Sequence, residues 1–296
     1  MAHTNIPVGW IGTGIMGSHM ARHLMEGGYT LHVHNRSRSK AKPLIAAGAE
    51  WHDTPGAVAQ ASRIVFTIVG YPSDVREVYF GDNGILAGAG DTTKIAVDMT
   101  TSEPSLATEI ATAAEKQGII ALDAPVSGGD SGAKSGELAI MIGGAAAGVE
   151  EVQPLFELMG SNIKHMGPAG AGQHTKMCNQ ILIASTMVGT VESLLYAHRA
   201  GLDRQTVIEV IGRGAASSWS INNLGRKIAV GDFDPGFMIK HFVKDMGIAL
   251  AEARRMNLAL PGLATVQQFY ISAISRGWEN LGTQALYRVL AEMNEK

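Results

Sequence analysis

Pro7-Val8-Gly9-Trp10-Ile11-Gly12-Thr13-Gly14-Ile15-Met16-Gly17 is the stretch on which the fold turns. Residues 7–11 are short and apolar, as a buried strand is, and Met20, Leu24 and Met25 continue past the glycines at helical spacing. A G-x-G-x-x-G spacing is common on its own. With a strand before it and a helix after it, it becomes a dinucleotide-binding fingerprint. Gly12 allows the tight turn, Gly14 lets backbone N–H groups approach a pyrophosphate, and Gly17 lets helix and strand pack closely. Thr13, Ile15 and Met16 count with them as cofactor-binding positions. A glycine-rich turn that binds nothing would have the same spacing.

Outward from this turn the same rhythm repeats. Residues 29–34, 64–69, 95–99 and 119–122 read as strands, and residues 54–61, 72–79 and 103–117 as helices between them. Apolar strands alternating with helices predict an α/β domain with a Rossmann-like, doubly wound parallel sheet. Strands at residues 138–142 and 162–166, with a helix at 149–159 between them, complete a first domain over residues 1–167. Ligands on such a sheet bind beyond the carboxyl ends of the strands.

Those ends carry the candidate residues. Asn35, Arg36 and Ser37 stand where an NAD site usually places a carboxylate for the ribose hydroxyl. A basic and hydroxyl-bearing end suits a 2′-phosphate, so the reading favours NADP, with NAD as the alternative. Val69, Gly70 and Tyr71 end another strand. Ser127, Gly128 and Gly129 can offer a hydroxyl and closely spaced N–H groups to a substrate carboxylate, although a plain Gly-Gly turn would look alike. His19 and His23 have metal-ligand spacing, but without an intervening acid or a third ligand they read as surface residues, and no metal is expected.

Gly167-Pro168-Ala169-Gly170 then opens onto a long stretch without proline, read as one connecting helix over residues 168–200, about 45 Å long. Lys176, Asn179 and Gln180 lie at i, i+3 and i+4 on one face, with Ile183 and Met187 continuing the stripe. Ordinary polar residues would give this pattern too. A lysine near the positive end of a helix dipole is nonetheless misplaced unless it has chemical work, and proton transfer is such work. Beyond residue 200 the alternation stops. Residues 204–212, 221–229, 239–256 and 264–276 read as helices, predicting an all-helical substrate and oligomerisation domain over residues 201–296.

Composition narrows the class. The 296 residues are 46% hydrophobic and carry a net charge of -3, which supplies cores for two domains and no basic surface for nucleic acid. Cys178 is the single cysteine, so a reducing compartment, the cytoplasm, is expected. No leader pattern is read at the N-terminus, and residues 181–191, the longest apolar run, read as too short to span a bilayer.

With these residues assembled, the chain resembles the β-hydroxyacid dehydrogenase family, which includes 3-hydroxyisobutyrate dehydrogenase and the tartronate and glyoxylate/succinic semialdehyde reductases. The resemblance spans nearly the whole chain. It rests on residues 11–17, on 123–129 (Asp-Ala-Pro-Val-Ser-Gly-Gly), on 172–180 (Gly-Gln-His-Thr-Lys-Met-Cys-Asn-Gln) and on Lys244-Asp245. It implies that Lys176 is catalytic, that Ser127, Gly128 and the Asn179/Gln180 pair hold the substrate, and that Thr101 and Lys244 touch the cofactor. Several relatives carry two asparagines where this chain has Asn179-Gln180, so which of the two makes the polar contact is open. Trp219, with Asn222 or Asn223, lies where relatives differ by substrate, and packing is an equal reading. The implied reaction interconverts a small β-hydroxy acid and its aldehyde acid, in a homodimer or homotetramer. An imine reductase-like enzyme, which usually has another residue in place of the lysine, and a non-catalytic NAD(P)-binding sensor are the alternatives.

Overall fold

The structure, a computed structural model, describes residues 6–294. Its chain divides into two compact units, with the division between Lys176 and Met177.

The first unit is a nine-stranded sheet. Strands β1 (Val8–Ile11), β2 (Leu31–His34), β3 (Glu50–Trp51), β4 (Ile64–Thr67), β5 (Ile95–Asp98) and β6 (Ile120–Asp123) run parallel in the order β3-β2-β1-β4-β5-β6. The chain winds from β1 to one edge, then returns to continue on the other side of β1. The turn after β1 therefore sits at the switch point, where sheets of this kind bind ligands. Beyond β6 the sheet is not purely parallel: β8 (Leu138–Gly143) runs antiparallel to β6 and to β7 (Val126–Ser127), and parallel to β9 (Gly160–Gly167). Strand β7 continues β6 along β8, with Asp123, Val126 and Ser127 opposite Gly143, Ile140 and Ala139 in one register, so the chain reverses in residues 128–137.

Helices α1 (Ile15–Glu26), α2 (Arg38–Ala46), α3 (Pro55–Ala61), α4 (Pro72–Phe80), α5 (Ile85–Gly88), α6 (Pro104–Glu115), α7 (Gly129–Ser135) and α8 (Ala146–Phe156) cover both faces. This explains why the strands read as continuous apolar runs. Val8 and Trp10, Ile64 and Phe66, and Ile95 and Val97 pack into one core, while Ile11, Val65 and Ala96 pack into the other. Trp10 stacks on Phe66 at 5.5 Å between ring centres, and Phe66 meets Phe156 edge-on.

Helix α9 (Ala171–Arg199) starts in the first unit and continues into the second. It is long and apolar enough to cross a bilayer by length and composition, a point that the shorter run 181–191 conceals. Its buried residues Met177, Ala184, Met187, Val191 and Leu194 recur at helical spacing in the core of the second unit. That unit adds α10 (Arg204–Ile211), a π-helical turn at Ser220–Leu224, α11 (Gly225–Val230), α12 (Ile239–Arg255), α13 (Pro261–Ser275), a 3₁₀ turn at Thr283–Ala285 and α14 (Leu286–Glu292). Phe242 of α12 meets Tyr270 of α13 edge-on, and the Tyr270 hydroxyl donates to the Thr283 carbonyl at 2.8 Å.

Candidate active site

The turn after β1 is built by packing from both sides. Gly12 has φ +102°, and a Cβ there would lie 2.0 Å from the Ile68 carbonyl oxygen. A Cβ on Gly17 would lie 2.1 Å from the Gly12 carbonyl oxygen. A Cβ on Gly14 would meet nothing within 4 Å, so the fold itself does not require that glycine. The open space lies at the N-terminus of α1, where Gly14 is the N-cap and makes no side-chain cap bond. Thr13 Oγ1 is buried nearby without a hydrogen-bond partner. Open space at a helix N-terminus with an orphaned hydroxyl beside it fits a dinucleotide pyrophosphate.

Asn35, the expected ribose reader, is used to hold this turn. Its Oδ1 accepts from the Thr13 N–H at 3.1 Å and its Nδ2 donates to the Ser37 carbonyl at 2.9 Å. Ser37 is the N-cap of α2, without a side-chain cap bond. The Arg36 side chain is 91% exposed, with Nη1 3.5 Å from Asp74 Oδ1, so it can turn toward a ligand at little cost. Asp74 also accepts from the Tyr71 N–H at the start of α4. The Val69 N–H donates to Thr100 Oγ1 at 2.9 Å, fixing the end of β4 to the end of β5. Gly70 and Thr101 are half-buried beside these residues.

The first turn of α9 is fastened to the sheet through a carboxylate. Asp123, the last residue of β6, accepts from the Gly170 N–H at 2.7 Å and from the Gln173 N–H at 2.8 Å. The Gln173 amide in turn accepts from the Ser102 N–H at 2.9 Å and donates to the Thr100 carbonyl at 2.7 Å. An acid at a helix N-terminus complements both the orphan N–H groups and the dipole. Burial pushes the Asp123 carboxyl up to about 6, against the pull of those backbone bonds. Asp98, its register partner on β5, is also pushed up to about 6 by burial, while Thr100 and Thr67 bond it and oppose the rise. Neither role was visible in the spacing of the motifs that contain Asp123 and Gln173.

Lys176 follows on the next turn of α9 and is 7% exposed. It is the helix's sixth residue, so the dipole argument made from sequence is weaker than it looked, since that effect fades beyond the first turn. Ser127 ends β7, opposite Ala139. Gly128 and Gly129 follow with φ +136° and +64°, a backbone that side chains resist, and Gly128 is the N-cap of α7, where helix N–H groups lack partners within the helix.

In the second unit, Gln180 is buried, its Oε1 accepting from Asn179 Nδ2 at 2.7 Å and its Nε2 donating to Asp245 Oδ2 at 2.5 Å. The Lys244 ammonium lies 3.1 Å from Asp245 Oδ1. Asn179 is half-buried. Trp219 is exposed, and the amides of Asn222 and Asn223 are spent locally, on Gly212 and Ser217 and on the Trp219 carbonyl.

Residues 7–167 match the family profile described as the NAD binding domain of 6-phosphogluconate dehydrogenase. Residues 170–290 match that described as NAD-binding of NADP-dependent 3-hydroxyisobutyrate dehydrogenase. A probable 3-hydroxyisobutyrate dehydrogenase-like 1 protein, mitochondrial, of Arabidopsis thaliana is 54% identical over 98% of this chain and 87% of its own. The chain belongs to the β-hydroxyacid dehydrogenase family. A second β-hydroxyacid dehydrogenase relative, the 2-hydroxy-3-oxopropionate reductase of Escherichia coli, is 39% identical over 97% of both chains. The 3-hydroxyisobutyrate dehydrogenase structure of Mycobacterium tuberculosis with L-serine superposes with a TM-score of 0.87 at 27% identity, covering 96% of this chain and 99% of that one. As a β-hydroxyacid dehydrogenase, the chain is an oxidoreductase that binds NAD(P) through a Rossmann domain.

Proposed function

We propose that the enzyme interconverts a small β-hydroxy acid and its aldehyde acid, with Lys176 as general acid/base and NADP as the favoured cofactor. The observation that carries this reading is the fastening of α9 by Asp123 and Gln173, which sets the buried Lys176 one turn beyond the strand ends. Bound NAD(P) supplies or accepts the hydride. In reduction Lys176 Nζ gives its proton to the developing alkoxide, and in oxidation the neutral amine takes it back. Ser127 Oγ and the N–H groups of Gly128 and Gly129 hold the substrate carboxylate. Gln180 is fully buried and Asn179 only half-buried, so we assign the polar contact with the reacting oxygen to Asn179, three residues from Lys176 on α9.

The Gly12–Gly17 turn would hold the pyrophosphate, Arg36 the 2′-phosphate, and Val69, Gly70, Tyr71, Thr101 and Lys244 the rest of the cofactor, with Trp219 at the substrate. Arg36 and the likeness to an NADP-dependent family profile support NADP. We take residues 1–167 as the cofactor domain, 168–200 as the connecting helix and 201–296 as the substrate and oligomerisation domain of a cytoplasmic homodimer or homotetramer.

The test follows nicotinamide absorbance with NADH or NADPH against glyoxylate and succinic, tartronate and methylmalonate semialdehydes. Lys176→Ala should lower turnover by about 10² to 10⁴ with cofactor affinity little changed. Arg36→Ala should erase a preference for NADPH. Cofactor binding without turnover on any of these acids would replace the dehydrogenase reading with the imine reductase or sensor alternative.

A further inference from the structure

At the far edge of the sheet from α9's attachment, β2 and β3 bring together three side chains that no motif joins. The parallel register sets His32 beside Glu50. Leu31 and Val33 point into the core, so the alternation of β2 turns His32 to the other face, where Glu50 and His52, two residues apart, meet it. His32 Nδ1 lies 2.9 Å from His52 Nε2. Glu50 Oε2 lies 3.6 Å from His32 Nδ1, and Glu50 Oε1 lies 3.7 Å from His52 Nε2.

We propose that His32, Glu50 and His52 bind a divalent transition ion of the zinc class. Bonds of about 2.0–2.1 Å in tetrahedral geometry place neighbouring ligand atoms about 3.3 Å apart; the ring nitrogens are a little closer than that, and one carboxylate oxygen of Glu50 lies within 4.8 Å of both, so small side-chain movements complete the set. Two imidazoles and one carboxylate form a nitrogen-rich set suited to zinc, copper(II) or nickel rather than to magnesium or calcium. The histidine side chains are 14% and 16% exposed, while Glu50 is 65% exposed. The ion would thus be held from the protein side and keep a position open to water. His52 is also tied inward, its carbonyl accepting from His34 Nδ1 at 2.9 Å. The pair with obvious sequence spacing, His19 and His23, is instead spread over α7, with His23 Nε2 donating to the Ala133 carbonyl and His19 3.7 Å from Asp130.

A direct hydrogen bond between His32 and His52 would account for their closeness without an ion, so the test must see the ion itself. Tag-free protein is stripped with a chelator, then titrated with Zn²⁺ by calorimetry and with Co²⁺ by visible absorption, alongside His52→Gln, Glu50→Gln and His19→Ala. Circular dichroism checks that each is folded. The expected result is one Zn²⁺ per chain and an intense tetrahedral Co²⁺ band. His52→Gln should weaken binding about tenfold or more, exposed Glu50→Gln should weaken it without disturbing the fold, and His19→Ala should leave it unchanged. No saturable binding, binding untouched by His52→Gln and Glu50→Gln, or an equal loss in His19→Ala would overturn the proposal.

Discussion

Asp123→Asn separates anchoring from stability. The side chain keeps its size, but its one remaining carbonyl oxygen can serve only one of the two N–H groups that the carboxylate now accepts, from Gly170 and Gln173. The amide nitrogen then faces the other donor. Losing a hydrogen bond to a charged acceptor costs about 1.5–3 kcal/mol. Removing the buried charge works the other way: a carboxyl raised from 3.8 to about 6 is penalised by about 3 kcal/mol when ionised at neutral pH. The two nearly cancel, so global stability should shift by no more than about 1–2 kcal/mol. Local opening of the first turn of α9 leaves Asp123 at the end of β6 between β5 and β8, so the charge penalty is common to the closed and open states and only the lost hydrogen bond counts. Amides in residues 170–173 should therefore exchange about 10- to 150-fold faster. Hydrogen–deuterium exchange with mass spectrometry on a peptide covering residues 168–180 reads this directly, and turnover should fall with it because Lys176 rides on the next turn. Unchanged exchange there, or acceleration spread evenly over the chain, would refute the anchoring.

Gly17→Ala places a Cβ against the Gly12 carbonyl and should cost about 1–3 kcal/mol or more in denaturant unfolding; Gly14→Ala should leave stability within about 1 kcal/mol while weakening cofactor binding in a fluorescence titration. Asp98 is held above its unfolded value by burial, so its folded form binds the proton more tightly, and protonation adds stability as pH falls through about 6 toward 4. The wild type should gain on Asp98→Asn by up to about 1.4 kcal/mol per pH unit in that window, and a difference independent of pH would contradict the burial argument. Gln180→Leu removes the donor to Asp245 Oδ2 and should destabilise by about 1–3 kcal/mol; a thermal melt equal to wild type would mean that another donor replaces it.

Strands β1, β4 and β5 were legible because each is apolar on both faces, β2 because Leu31 and Val33 alternate with two histidines, and α9 because nothing interrupts it, whereas the two-residue β3 went unread. Helix α2 went unread since Arg38–Ala46 opens with Arg38, Ser39, Lys40 and Lys42 and contains Pro43; α7 is rich in glycine and serine, and β7 has two residues. Within the site, the glycines and Lys176 stand out by residue type and spacing. Asp123 does not, because the N–H groups it binds lie 47 and 50 residues further on. The part Asn35 plays in holding the turn went unread for a like reason: its bond to Thr13 spans 22 residues and exists only once β1 and β2 are side by side.

The three glycines after β1 answer to different selective pressures. Gly12 and Gly17 are demanded by the protein's own atoms, so any descendant that keeps the fold must keep both, whatever it does for a living. Gly14 is free of that demand and answers to the ligand alone. A lineage that lost the cofactor would drift at position 14 first, while its neighbours stayed glycine, which turns one residue into a marker for telling a working dehydrogenase from a retired copy of the same fold.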